Sequence, residues 1–153
     1  MKLVVKPLLF DTYLAVIKNS PGANLFRNSY AKVNGMKRDI LKNGELSCAF
    51  FTSSVLVIFK LIKEIHSTVE GTIRDLEASG WKKIKKPKIG SVLIWEESVG
   101  HKHSGFYIGG GKAVSNSLQK RTPIVHHWTF GIKKGKPVRK IIAIYWHKKL
   151  DSR

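Results

Sequence analysis

Leu8, Leu9, Tyr13, Val16 and Ile17 recur at helical spacing, so residues 7–18 are predicted to form an amphipathic helix. Asn19-Ser20-Pro21-Gly22 breaks it. Residues 20–46 are mixed, with turn signals at Asn34-Gly35 and Asn43-Gly44. An apolar run begins at Cys48 behind Ser47, a natural N-cap. This predicts a helix reaching Lys63, with Cys48 in its first turn. Another helix is predicted over 68–78, capped by Ser67 or Thr68 and closed by Gly80. After Trp81 the period changes. Ser91–Trp95, His103–Ile108, Lys112–Asn116 and Arg139–Trp146 read as strands, and Gly109-Gly110-Gly111 as a hairpin turn. Helices first and strands second give the α+β class, with N-terminal helices packed on a C-terminal antiparallel sheet. The chain has no internal repeat and no low-complexity linker, and its 153 residues fit a single domain, 1–153.

Composition narrows the chemistry. One cysteine excludes an intramolecular disulfide and a zinc site built mainly of thiolates. Cys48 is therefore either a small buried apolar group or a reactive one. Lys and Arg number 28 against 10 Asp and Glu, a formal net charge of +18. Such a surface attracts polyanions, whether nucleic acid, acidic membrane or acidic wall polymer. Basic residues concentrate in Trp81–Lys88 and Lys133–Lys140, each most simply a solvated loop. With Trp81, Trp95, Trp128 and Trp146 they would suit base stacking, but no nucleic-acid-binding motif is present. Ala49–Phe59 is too short to span a bilayer. Pro7 and Asp11 interrupt the apolar residues near the start, so no secretory signal is read there and no compartment is indicated.

A cysteine at a helix N-terminus has its thiolate favoured by the helix dipole and free N–H groups. A histidine can serve as base, and it needs a third polar group to fix its tautomer. Backbone N–H groups at the helix start can hold a developing oxyanion. Cys48 and His103 fit these two roles. His101 is the other candidate base, but His103 alone stands directly before the Gly-Phe-Tyr-Ile strand. His101, His103, His126 and His127 also raise a metal site, the weaker reading because no acidic residue lies near them. His126 and His127 read as loop residues that would cover a cleft. The chemistry calls for no cofactor.

Glu45-Leu-Ser-Cys48-Ala-Phe-Phe resembles the nucleophile helix of NlpC-type cell-wall cysteine peptidases. Pro87-Lys-Ile-Gly90-Ser-Val-Leu-Ile-Trp95 is similar to their first strand, and His103-Ser-Gly-Phe-Tyr-Ile-Gly-Gly-Gly-Lys-Ala-Val to their histidine hairpin. The resemblance covers residues 45–117, and the hairpin is its most specific part. It implies a papain-like fold and hydrolysis of an amide in a peptidoglycan stem peptide, with Cys48 as nucleophile and His103 as base. The family's third polar residue lies twelve positions past the histidine, which is Ser115. Asn116 is chemically the better orienter, and an unbulged two-residue turn at Gly110-Gly111 would pair it with Gly105 on the face of His103. A bulge would exchange the two. Ser47, Ala49, Phe50 and Ser91 depart from the family pattern. An active Cys48 is expected to react with iodoacetamide near neutral pH, with a pH profile below that of a free thiol. The alternative is a non-catalytic polyanion-binding module on the same fold.

Overall fold

The computed structural model describes residues 1–151. Its first helix, α1 (Leu9–Asn19), buries Phe10, Tyr13 and Ile17, the stripe that helical spacing selects. Tyr13 is fully buried and donates its hydroxyl to the Gly90 carbonyl at 2.7 Å, tying α1 to the turn before the sheet. Between α1 and the next helix, the short strands β1 (Tyr30–Val33) and β2 (Met36–Asp39) form a hairpin. Asn34 and Gly35 turn it at φ 51° and 78°, the positive pair that a two-residue hairpin requires. Sequence reading found this turn but not its strands, because their largely exposed residues do not alternate between apolar and polar.

Helix α2 (Cys48–Ile58) is apolar on nearly every side and is buried accordingly, with Phe51, Val55 and Leu56 fully inside. It ends earlier than Lys63. Lys60 takes φ 54° and the Leu61 N–H bonds back to Leu56, a helix-ending motif usually built with glycine. Ser47 stands at the cap position, yet its hydroxyl makes no cap bond and is buried without a partner. The cap expected there is absent, and Cys48 nonetheless opens the helix. Helix α3 (Val69–Ala78) is capped by Thr68, whose hydroxyl accepts from the Gly71 N–H at 3.1 Å, and is closed by Gly80 at φ 94°.

The remaining strands are β3 (Lys82–Lys83), β4 (Val92–Ser98), β5 (His101–Gly109), β6 (Lys112–Asn116), β7 (Pro123–His127), the β8–β9 hairpin (Ile132–Lys133, Lys136–Pro137) and β10 (Ile141–Trp146). A short 3-10 helix follows at Lys148–Asp151. Among the described residues, three α-helices accompany a six-stranded antiparallel sheet in the order β3-β10-β4-β5-β6-β7. The helices pack on the face that carries Val92, Ile94, Phe106 and Val114. The opposite face holds a smaller cluster of Leu93, Trp95 and Ala113, with Phe130 and Trp128 against it.

Candidate active site

Alternation along β5 divides the site between the two faces. Ser104 and Phe106 look toward the helices. Phe106 packs edge-to-face on Phe51 of α2 at 5.6 Å, and the Ser104 hydroxyl lies 2.9 Å from Thr52 Oγ1. The Ser104 hydroxyl also donates to the Cys48 carbonyl at 3.3 Å, so the first turn of α2 is seated on β5 beside His103. The pairing of β5 with β6 starts at Gly105–Ser115. The Ser104 N–H is thus left free of β6 and interacts with the Cys48 sulfur. No hydrogen bond joins that sulfur to His103.

His103 projects from the other face. It lies against Trp95, with ring centroids 5.2 Å apart, and against Phe130 at 5.7 Å. Its Nε2 is 2.8 Å from Ser115 Oγ, and the same oxygen is 2.6 Å from His126 Nε2 on β7. The hairpin decides this arrangement. Gly110 and Gly111 turn at φ 60° and 73°, as an unbulged hairpin would, and Gly109 pairs with Lys112. The register then shifts, so that Tyr107 pairs with Ala113 and Gly105 with Ser115. This bulge, with Ile108 as its extra residue, reverses the parity of β6. Asn116 therefore does not take the place opposite Gly105. Its amide donates to the Gly44 carbonyl at 2.8 Å, and its Oδ1 is buried without a partner. Gly105 is equally specific: a Cβ there would lie 2.5 Å from the Val114 carbonyl and 2.7 Å from the Ser115 Cβ. Only glycine lets Ser115 come close enough to reach its diagonal neighbour His103.

Electrostatics keep the resting site uncharged. Burial pushes the Cys48 thiol up, while the N–H groups of Ser104 and Ala49 and the charge of Arg139 pull it back only in part. Burial lowers His103 to about 3, and the charges of Arg139 and His126 add to that. Burial thus runs against the lowered thiol profile expected of a reactive Cys48, because loss of hydration outweighs the N–H groups at the helix start. The resting pair is thiol and neutral imidazole.

Sequence reading placed two residues of this site differently. His126 lies on β7 rather than in a loop. Arg139 was counted within a solvated basic cluster, yet it is half-buried and donates from Nε to the Glu96 carbonyl at 3.0 Å and from Nη2 to the His101 carbonyl at 2.9 Å. For His126 the signal was Pro123-Ile-Val, a short β-prone run; Arg139 carried none. The two basic clusters meet opposite ends of β10: Lys82 and Lys83 pair with Trp146 and Tyr145, whereas Lys140 bonds to Glu96 near Ile141. Five strand steps separate those ends, roughly 17 Å. Trp81, Trp95 and Trp146 are buried, so they offer no stacking surface for bases. Among the described residues no group of three or more His, Cys, Asp or Glu is placed to hold a metal ion. No described helix is long and apolar enough to cross a membrane. Set against known proteins, the chain matches no protein-family model and no curated sequence.

Proposed function

We propose that this chain is a cysteine-dependent amide hydrolase of papain-like, NlpC-type architecture, with a peptidoglycan stem peptide as its substrate class. Cys48 is the nucleophile, His103 the base and Ser115 the group that orients it. The observation that supports this reading is the seating of the Cys48 turn against Ser104, the chain neighbour of His103, whose Nε2 is hydrogen-bonded to Ser115. Attack would transfer the thiol proton to His103, form a thioester and release the amine, which takes that proton. Water then hydrolyses the thioester. The free N–H groups of the first α2 turn are suited to the oxyanion. Turnover of stem-peptide amides by the full chain tests this. Cys48→Ala should abolish it, and His103→Gln should lower it by about 10²–10⁴-fold, the usual worth of a positioned base. Equal alkylation of Cys48 by iodoacetamide in wild type and His103→Gln, together with no turnover, would end the reading.

The uncharged resting site and the unpaired surface charge favour a second reading, a non-catalytic module for an anionic polymer. Among the described residues only His66–Asp75 and Lys88–Asp151 form ion pairs, although the net charge is +18. Binding to anionic wall polymer and to nucleic acid across a salt series, with Cys48 inert, would favour it.

A further inference from the structure

The hydrogen bonds behind His103 form a chain whose direction is fixed at its far end. His126 Nδ1 lies 2.7 Å from the His127 carbonyl oxygen, which can only accept, so Nδ1 carries the proton. In neutral His126 the Nε2 is then an acceptor. Ser115 has one proton to give, and it gives it to His126 Nε2 at 2.6 Å. The Ser115 oxygen must then accept from His103 Nε2 at 2.8 Å. His103 is thereby held as the Nε2–H tautomer, and its Nδ1 keeps the lone pair that a base requires. The far end is itself pinned. His127 Nδ1 accepts from the Thr129 and Gly131 N–H groups, both at 3.2 Å, which fixes the loop carrying Phe130. Phe130 stacks on His126 at 4.1 Å with the rings 14° from parallel.

We propose that His126 is a positioning residue that sets the tautomer of His103 through the Ser115 hydroxyl. It rests on the hydrolase reading for its purpose but not for its measurement. His126 touches neither nucleophile nor substrate. When His126 is protonated, Nε2 becomes a donor and Ser115 must turn its proton toward His103. His103 then becomes the Nδ1–H tautomer and the base is lost. The titratable and charged groups that face or adjoin His126 are His103 on β5, reached through Ser115, His127 beside it and Lys112 on β6. Burial lowers His126 most and the charge of His127 adds to that, while the bond to the His127 carbonyl offsets them only in part, so the switch falls below the ordinary histidine range.

The test uses the full chain labelled with ¹⁵N-histidine. Imidazole ¹⁵N shifts near pH 7.5, assigned with His103→Gln, should show His103 protonated at Nε2. An Nδ1–H tautomer in wild type overturns the proposal with no variant needed. His126→Phe keeps a ring against Phe130 but removes the acceptor. It should give mixed His103 tautomers and roughly tenfold slower alkylation of Cys48, the scale of one orienting hydrogen bond. His126→Gln, which restores an acceptor, should recover most of both. An unchanged His103 tautomer in folded His126→Phe also overturns it. Loss of turnover in every form, with the tautomer as stated, would remove the hydrolase reading and leave this assignment standing.

Discussion

The two faces of the sheet are stabilised in different ways. On the helix side, Phe51, Val55, Phe106 and Val114 interlock, and loss of contact there costs stability directly. On the other side, Trp95 and Phe130 wall a row of hydrogen-bonded polar groups, His103, Ser115 and His126, whose value lies in direction rather than area. The same strand, β5, serves both through its alternating side chains. The contrast teaches that a hydrogen-bonded histidine can be built onto a sheet without disturbing the core, provided it occupies the face the helices leave uncovered.

Four changes would test this contrast, from the largest effect to the smallest. Phe51→Ala should cost about 3–5 kcal/mol in urea unfolding, as large core truncations do, while leaving the His103 tautomer as it is. Gly105→Ala acts on both faces: the added Cβ meets the β6 backbone, so it should destabilise by about 1–3 kcal/mol and separate Ser115 from His103.

Acid should unpick the faces in two windows. The folded state holds His103 at about 3, below its ordinary 6.5, so the unfolded chain takes up a proton that the fold refuses. That contribution is complete above pH 6.5 and is lost as pH falls from there toward 3. On the helix side, burial alone would raise Asp75, but the Lys63 N–H, the His66 ring, the Glu64 N–H and the Ser79 hydroxyl bring it from 3.8 to about 2. Its contribution, about 2 kcal/mol, is present above 3.8 and lost as pH falls toward 2. Urea midpoints across the acid range should show both windows. His103→Gln should remove the upper one and Asp75→Asn the lower. Smallest in stability is Ser115→Ala, at about 1 kcal/mol, yet it should slow turnover more than Asn116→Ala does. The reverse ranking would mean that the β5–β6 bulge is absent in solution.

Much of the fold was legible because periodicity is local. Tyr13 and Ile17 marked α1, the glycine triplet marked the β5–β6 turn, and Cys48 opening a helix followed from the run behind it. Which of Ser115 and Asn116 bonds His103 was not legible from the strand itself, because a single bulge at Ile108 flips the parity of β6, although the twelve-residue spacing of the resemblance pointed to Ser115. Arg139 was misplaced for a different reason: its surroundings depend on which strands become neighbours, and sequence order does not disclose that β10 inserts between β3 and β4.

That insertion has a consequence in time. Arg139 leads into β10, which is interior to the sheet and pairs with β4, more than forty residues earlier. At about 5–20 residues per second of synthesis, β4 to β7 can pair as a meander while β10 is still being made. Until it arrives, the edge of β4 is open and the charge that acts on Cys48 and His103 is missing. A nascent chain therefore carries Cys48 and His103 for seconds before Arg139 takes its place near them.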